Sequence, residues 1–252
     1  MILKDYHIHT SYSDGKNSPE DIILAAIDKG FTEIGFSDHS YTEFDESYCM
    51  KKDLIDDYLN EIKSLKEKYR DRISVLCGIE QDYYSSQSTE SYDYVIGSVH
   101  YVKVGENYID VDHSKEKLIA DVKTYFNGCF SDFYRAYYAN LSDVVAKTGA
   151  DIIGHFDLVA KFNEDGSLFD SKSEEYTAAW KKAADALLDT GKPFEINTGA
   201  ISRGYKTNPY PANDIYEYLK NNGARFILSS DCHDKSYLGA YFENFEKLIN
   251  NN

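Results

Sequence analysis

Cysteines, basic residues and long apolar runs are all scarce in this sequence of 252 residues. The four cysteines, Cys49, Cys77, Cys129 and Cys232, have no CxxC spacing, so the sequence predicts neither a zinc ribbon nor a disulfide framework. No stretch approaches the roughly 18 apolar residues of a membrane helix, and no basic segment leads into an apolar one at the N-terminus. We therefore expect a cytoplasmic protein with reduced thiols and no membrane partner.

Acidic residues outnumber basic ones, with 43 Asp and Glu against 27 Lys and Arg and a net charge of −16. A chain with this charge repels long polyanions, because affinity for nucleic acids comes largely from cationic side chains that neutralise phosphates. We therefore expect no nucleic-acid partner. A small anionic substrate is compatible with this charge if bound metals or local cationic side chains reverse the sign within one pocket. The sequence leaves the oligomeric state open.

Short apolar runs alternate with segments of helical period along the chain. Seven runs are predicted as strands: Ile2–His7, Glu33–Ser37, Ile73–Ile79, Tyr92–Val99, Asp151–Gly154, Phe194–Asn197 and Arg225–Ser229. Helices are predicted from Ser18 to Gly30 and over Lys52–Tyr69, Lys115–Asn127, Ser131–Thr148, Ser173–Thr190 and Ala212–Asn222. This alternation predicts an α/β fold with a mainly parallel sheet. Seven units without a linker indicate one TIM-like (β/α)7 barrel, a single domain over residues 1–252.

Side chains that can bind metals follow six of the seven predicted strands. They are His7 and His9, Asp38 and His39, Glu80, His100, His155 and Asp157, and Asp231 and His233. Because the C-terminal ends of parallel strands meet at one face of a barrel, we expect these side chains to converge there. Of the seven histidines, only His113 lies outside this set.

Nine imidazole and carboxylate groups exceed what one ion needs. They belong to His7, His9, Asp14, His39, Glu80, His100, His155, Asp231 and His233. These ligand types suit Zn, Mn and Fe alike, and a bridging carboxylate such as that of Glu80 can hold two cations close together. The set could therefore fill three divalent metal sites, with positions left for water and substrate.

The same residues occur in ordered motifs. These are His7-Ile-His9 followed by Asp14, Ser37-Asp-His-Ser40, Gly154-His-Phe-Asp157 and Ser230-Asp-Cys-His-Asp234. With Glu80 and His100 between them, the chain resembles the polymerase and histidinol phosphatase (PHP) superfamily over nearly its whole length. The resemblance implies a distorted (β/α)7 barrel with a trinuclear metal centre.

The resemblance also implies how the residues share the ions. One ion would take His7, His9, Glu80 and Asp231, the second Glu80, His100 and His155, and the third Asp14, His39 and His233. Asp38 and Asp157 are expected either to bind a metal or to orient a neighbouring histidine.

Within the family, the compact length and the segment from Gly154 to Phe162 resemble histidinol-phosphate phosphatases of histidine biosynthesis. The resemblance implies hydrolysis of a small phosphomonoester, L-histidinol phosphate, by a hydroxide that bridges the metals. Lys161 is expected to contact the phosphate, although the family has a basic pair where this chain has a single lysine. Arg203 follows the sixth predicted strand, so its guanidinium is expected on the same face, where it would bind phosphate oxygens.

Two other functions stay open at this point. The chain could be another phosphoesterase of the family, with a protein phosphotyrosine or a nucleotide as substrate. It could also be a metal-binding scaffold without activity, but the complete set of ligands favours an enzyme. The sequence does not specify the physiological metal or the proton donor to the leaving group.

Overall fold

Strands and helices alternate along most of the chain in a computed structural model, which describes residues 3–249. The strands are β1 Leu3–Asp5, β2 Phe31–Phe36, β3 Ser74–Asp82, β4 Tyr94–Ser98, β5 Tyr101–Val104, β6 Asn107–Asp110, β7 Ile152–Ile153, β8 Phe194–Asn197 and β9 Phe226–Ser229. The α-helices are α1 Pro19–Asp28, α2 Ile55–Tyr69, α3 Lys115–Tyr125, α4 Phe130–Leu141, α5 Val144–Thr148, α6 Glu174–Leu188, α7 Gly199–Ser202, α8 Asn213–Asn221 and α9 Phe242–Ile249. Short 3₁₀ turns occupy Lys52–Leu54, Leu158–Ala160 and Lys235–Tyr237. The first predicted strand begins at Ile2, which lies outside the described residues.

Seven strands pair in the order β1-β2-β3-β4-β7-β8-β9, and every pair is parallel. The ends of this sheet meet where Ile8 forms a parallel bridge with Cys232. The His9 amide donates to the Cys232 carbonyl at 2.9 Å, and the Cys232 amide donates to the His7 carbonyl at 3.1 Å. The sheet therefore closes into a barrel through two hydrogen bonds, and the predicted distorted (β/α)7 barrel is confirmed.

Helix α1 illustrates how local sequence positions an element on the barrel. Its cap residue Ser18 accepts a hydrogen bond from the Asp21 amide at 3.2 Å, and Pro19 occupies the first helical position. Ile22, Ile23 and other residues on one face are buried. The helix thus begins where the sequence predicted and packs its apolar face on the sheet.

The barrel interior changes from apolar to polar along the strands. Side chains of β3 alternate in direction, so Leu76, Gly78 and Glu80 share the inner face. Leu76 packs with Tyr94 near the N-terminal ends of the strands, whereas Glu80 lies at the opposite end. Tyr94 occupies the space beside Gly78, and its hydroxyl donates to the Phe36 carbonyl at 3.0 Å. The tyrosine therefore fills the lower part of the barrel and leaves polar residues at its mouth.

Several elements differ from the predictions. Strand β3 continues to Asp82 instead of ending at Ile79, because its polar last residues pair in register with Ile96–Ser98 of β4. The predicted helix Ser131–Thr148 is broken between α4 and α5, where the Ser142 hydroxyl bonds back to the Ala139 carbonyl.

The antiparallel hairpin β5–β6 and helix α9 were not predicted. Within residues 3–249, no helix has the length and apolar character needed to cross a membrane.

Candidate metal centre

The nine metal-binding side chains proposed from the sequence converge at the C-terminal mouth of the barrel. They form four overlapping groups, and within each group one ligand atom per residue lies within 4.8 Å of the others. The groups are His9, Asp14, His39 and His233; His7, Glu80 and His155; His7, His9 and Asp231; and His39, Glu80 and His100. Among residues 3–249, these nine are the only side chains in such groups.

The Glu80 carboxylate lies between four imidazoles. Its Oε2 atom is 2.9 Å from His39 Nδ1 and 3.3 Å from His7 Nε2. Its Oε1 atom is 3.0 Å from His155 Nε2 and 3.4 Å from His100 Nε2. Strand β3 places this carboxylate near the barrel axis, so it can contact side chains from strands on both sides of the barrel.

Asp14 closes the outer side of the cluster. One carboxylate oxygen is 3.2 Å from His233 Nε2, and the other is 3.7 Å from His9 Nδ1 and 3.8 Å from His39 Nε2. The rings of His9 and His233 stack with their centres 4.0 Å apart. Asp14 is part of a turn after β1, and this turn brings its carboxylate back to His9.

Asp231 follows β9 in a left-handed backbone conformation with φ of 49°. This conformation is uncommon for residues other than glycine and is frequent at functional sites. One Asp231 carboxylate oxygen lies 3.5 Å from His9 Nε2 and 3.9 Å from His7 Nε2. A side-chain carbon at Gly199 would overlap Asp231, so the glycine leaves room for the carboxylate. The strained residue thus faces the cluster with its acidic group.

Burial and mutual attraction shift the pKa values of these groups in opposite directions. Burial opposes charge on His7, but the carboxylates of Glu195 and Glu80 raise its pKa well above the ordinary value. Burial and the neighbouring imidazoles of His233 and His39 lower the pKa of His9 to about 3. Although burial favours its neutral form, the imidazoles of His7 and His39 hold the pKa of Glu80 well below its usual range. The cluster therefore keeps anionic carboxylates beside a neutral His9, and groups in these protonation states can bind cations.

Several buried atoms of the cluster make no hydrogen bond to any described residue. They are His7 Nε2, both ring nitrogens of His9, Glu80 Oε2 and His100 Nδ1. A buried polar atom without a partner costs free energy, and native proteins rarely leave one unexplained. Imidazole nitrogen and carboxylate oxygen are ligands that divalent metals accept. The donor set therefore fits bound metal ions.

Both predicted phosphate-binding cations line the cavity above the cluster, but each contacts a carboxylate. Arg203 donates to Asp231 Oδ2 at 2.9 Å and to Asp231 Oδ1 at 3.2 Å. The Lys161 ammonium donates to Asp112 Oδ2 at 3.0 Å and to the Asp112 carbonyl at 2.8 Å. These two residues are therefore near the candidate site, and their contact with phosphate stays a prediction.

Asp38 and Asp157 are buried beside the mouth, and each accepts a hydrogen bond from a backbone amide. Asp38 accepts hydrogen bonds from the Thr10 amide at 2.8 Å and the Ser13 hydroxyl at 2.6 Å. Through these bonds Asp38 holds the turn that contains Asp14. Asp157 accepts from the Ala212 amide at 3.1 Å. Their expected role, either to bind a metal or to orient a neighbouring histidine, stays a prediction.

Two carboxylates that the sequence analysis did not select contact the predicted ligands. Glu195 Oε1 lies 2.7 Å from His7 Nδ1, and Asp82 Oδ2 lies 3.3 Å from His100 Nδ1. Both are buried within strands of the barrel. A sequence signal exists for Glu195, which lies between Phe194 and Ile196, because a charge in an apolar run needs a partner. Asp82 follows Glu80 and Gln81 and has no such signal.

The mouth of the barrel holds an open cavity of about 240 Å³. Its lining includes Glu80, His155 and Asp231 of the cluster, and also Asp45 and Asp110, which lie outside the cluster. Metal-binding groups and the two predicted phosphate-binding cations therefore open into the same space. A small molecule could contact all of these groups at once.

Relatives with curated names resemble this chain over most of its length. The chain is 32% identical to the "Probable histidinol-phosphatase" of Schizosaccharomyces pombe, across 87% of this chain and 76% of that protein. It is 27% identical to the histidinol-phosphatase of Bacillus subtilis (strain 168), across 97% of this chain and 98% of that protein.

Solved structures share the fold. A chain from Listeria monocytogenes superposes with a TM-score of 0.84 at 19% identity, covering 96% of this chain and 100% of that one. The histidinol phosphate phosphatase of Lactococcus lactis, solved with zinc, L-histidinol and phosphate, superposes with a TM-score of 0.69 at 22% identity and covers 97% of this chain and 93% of that one. The family model for the PHP domain matches residues 5–199. This match confirms the resemblance inferred from the motifs: the chain belongs to the PHP family.

Proposed function

We propose that this chain is a metal-dependent phosphomonoester hydrolase that acts on L-histidinol phosphate. The convergence of nine imidazole and carboxylate side chains on one cavity carries the proposal. The curated relatives support the substrate, because several that match most of this chain are named histidinol-phosphatase. The cavity suits a small phosphorylated molecule, and the net charge of −16 disfavours a polynucleotide.

The proposed ligands divide into three overlapping sets. One ion takes His7, His9, Glu80 and Asp231, another takes Glu80, His100 and His155, and the last takes Asp14, His39 and His233. Zn, Mn and Fe all suit these ligands. When bound, such ions polarise phosphoryl oxygens and lower the pKa of water toward neutrality.

Two cationic side chains would bind and orient the phosphate. An ammonium has three N–H donors, and Asp112 accepts two from Lys161, so one donor can reach a phosphate oxygen. Arg203 has a buried Nε without a partner among the described residues, and its terminal nitrogens are shared with Asp231. The planar guanidinium matches the geometry of phosphate oxygens. The attraction between these cations and the phosphate dianion would hold the phosphorus atom over the cluster.

The part of the cavity that Asp45 and Asp110 line would receive the alcohol part of the substrate. Asp45 and Asp110 line the cavity but belong to none of the groups of proposed metal ligands. Asp112 lies with them, but its negative charge is paired with Lys161. An ammonium or a protonated imidazole is attracted by such carboxylates, whereas a neutral aromatic alcohol is not. This arrangement favours a phosphomonoester with a cationic leaving group.

The substrate is tested with the metal-loaded protein and three compounds. We expect kcat/KM for L-histidinol phosphate to exceed the values for p-nitrophenyl phosphate and a phosphotyrosyl peptide by about 100-fold or more. Similar values for all three would refute the assignment to histidinol phosphate and favour another phosphoesterase of the family. No hydrolysis of any compound by a protein that binds metal would favour the scaffold.

We also infer a cytoplasmic location and a single domain. The four cysteines form no disulfide, which fits a reducing compartment. Strand β9 lies beyond residue 199 but pairs with β8 and carries Asp231 and His233 into the cluster. The last part of the chain therefore completes the same unit.

A further inference from the structure

Strand β8 is the one barrel strand whose end supplies none of the nine proposed metal ligands. Its second residue, Glu195, has a fully buried carboxylate, with 0% of the side chain exposed. Glu195 Oε1 lies 2.7 Å from His7 Nδ1. Glu195 Oε2 accepts from the His155 amide at 3.0 Å and from Asn197 Nδ2 at 3.2 Å. An unpaired charge is costly in such a place, so these contacts account for the presence of the carboxylate.

The contact to His7 determines which ring nitrogen carries a proton. An ionised carboxylate can only accept hydrogen bonds, so His7 Nδ1 must donate to it. A neutral ring then has its lone pair on Nε2. That atom is buried, makes no hydrogen bond to any described residue, and lies 3.3 Å from Glu80 Oε2. Glu195 thereby turns the free nitrogen of His7 toward the candidate centre.

The second carboxylate oxygen links Glu195 to two more proposed ligands. It holds the backbone of His155, which follows β7. It also holds Asn197, whose amide nitrogen lies 3.4 Å from Asp231 Oδ2. One carboxylate on β8 thus connects ligands that come from β1, β7 and β9.

We propose that Glu195 is a positioning residue of the metal centre. It fixes His7 in the tautomer that exposes Nε2, and it keeps His155 and Asp231 at a constant distance from that ring. This inference rests on the proposed function, because it assigns Glu195 a role only if His7 binds a metal. Anionic partners of metal-bound histidines typically strengthen metal affinity 10- to 100-fold.

The first test is the variant Glu195→Gln with Zn²⁺ as the probe. The glutamine side chain has the same shape as glutamate, but its amide group places N–H donors beside the three N–H groups that Glu195 binds. We expect the Zn²⁺ ion held by His7 to bind about 10- to 100-fold more weakly in competition with a chromophoric chelator. Unchanged affinity for every ion would refute the role of Glu195.

The matched control is Glu33→Gln. Glu33 is a glutamate on β2 that accepts hydrogen bonds from Tyr6 and Lys4, away from the cluster. Its replacement should leave Zn²⁺ affinity unchanged. A wild-type protein that binds no Zn²⁺ would instead refute the proposed function itself, so the two failures are distinguishable.

A second measurement needs no variant and therefore does not depend on whether Glu195→Gln folds. Nitrogen-15 NMR of the histidine rings in the metal-free wild type reports which nitrogen of His7 is protonated. We expect the neutral ring of His7 to carry its proton on Nδ1. A proton on Nε2 alone would overturn the proposal, because Glu195 would then not be the partner that sets the tautomer.

Discussion

Asp110 is the residue through which the preference for a cationic leaving group is best tested. Its Oδ1 atom accepts from the amides of Asp112 and His113, both at 3.0 Å, and an asparagine would keep this acceptor. We expect Asp110→Asn to raise KM for L-histidinol phosphate about tenfold, equivalent to about 1.4 kcal/mol of binding, because one attractive charge is removed.

Hydrolysis of p-nitrophenyl phosphate provides the comparison for this variant, since its leaving group carries no positive charge. Its KM should stay unchanged. Asp132→Asn, on the exposed face of α4, should leave KM unchanged for both substrates. An equal rise in KM for both substrates with Asp110→Asn would mean that Asp110 acts on the phosphate or on folding.

Position 78 has room only for a glycine, because Tyr94 approaches it closely inside the barrel. A methyl group at position 78 would overlap the Tyr94 ring. The ring cannot easily withdraw, because its hydroxyl bonds to the carbonyls of Tyr6 and Phe36. We expect Gly78→Ala to lower the free energy of unfolding by about 1–3 kcal/mol, measured by urea denaturation. In a Tyr94→Leu background the same substitution should cost much less, and an equal cost in both backgrounds would contradict the overlap.

The candidate ligands were predictable as one cluster, because histidines and acids recur at one topological level of the chain. Glu195 and Asp82 were not, since each lies inside a buried strand and contacts its histidine only after distant strands come together. Arg203 was expected on the correct face, but its contact with Asp231 depends on a backbone conformation that the sequence does not reveal.

The pairing of β1 with β9 is a short connection between elements of the barrel. The amides of His9 and Cys232 form the backbone hydrogen bonds beside the bridge at this seam, whereas β3 and β4 pair in register over five residues each. The proposed ligands lie on both sides, with His7 and His9 on one and Asp231 and His233 on the other. Bound metal would therefore join the two ends of the sheet.

Hydrogen exchange measures this effect. On removal of metal with a chelator, we expect the amides of His9 and Cys232 to exchange much faster, while those in the β3–β4 ladder change little. Exchange that accelerates equally in both places would indicate that the metals stabilise the whole barrel and not the seam.

Strand and helix positions were largely predictable, and the exceptions have local causes. Alternating apolar runs and cap residues located the barrel strands and α1. The hairpin β5–β6 was not predicted, because each of its strands has only four residues and includes polar side chains such as Lys103 and Asn107. The break between α4 and α5 depends on a single hydroxyl that competes for a helical carbonyl.

Metal binding should raise the free energy of unfolding of the entire barrel. Each ion present at a thousand times its dissociation constant adds about 4 kcal/mol to the free energy of unfolding. Even if only one site is filled to this extent, we expect EDTA to lower the melting temperature by roughly 10 °C in calorimetry.

Two variants frame this measurement. His113→Ala, which changes the histidine outside the cluster, should show the same fall in melting temperature as the wild type. Glu80→Ala should show a much smaller one, because it removes the carboxylate that contacts four imidazoles. A wild-type melting temperature that EDTA does not alter would argue against metal ions at this cluster.

Closure of the barrel could be expected from seven alternating units, but the way it closes could not. Two hydrogen bonds beside Ile8 and Cys232 join strands that lie more than 200 residues apart. Such a pairing leaves no local pattern, since it depends on the twist and tilt that all seven strands accumulate.

The Tyr94 ring fills the lower barrel, so substrate and products must pass through the mouth of the barrel. Phosphate would lie deepest, on the cluster, with the alcohol between it and solvent. The alcohol must therefore depart first and inorganic phosphate last. In initial-rate kinetics, phosphate should compete with the substrate, whereas histidinol should lower the maximal rate as well. The reverse pattern would mean that phosphate leaves by another route.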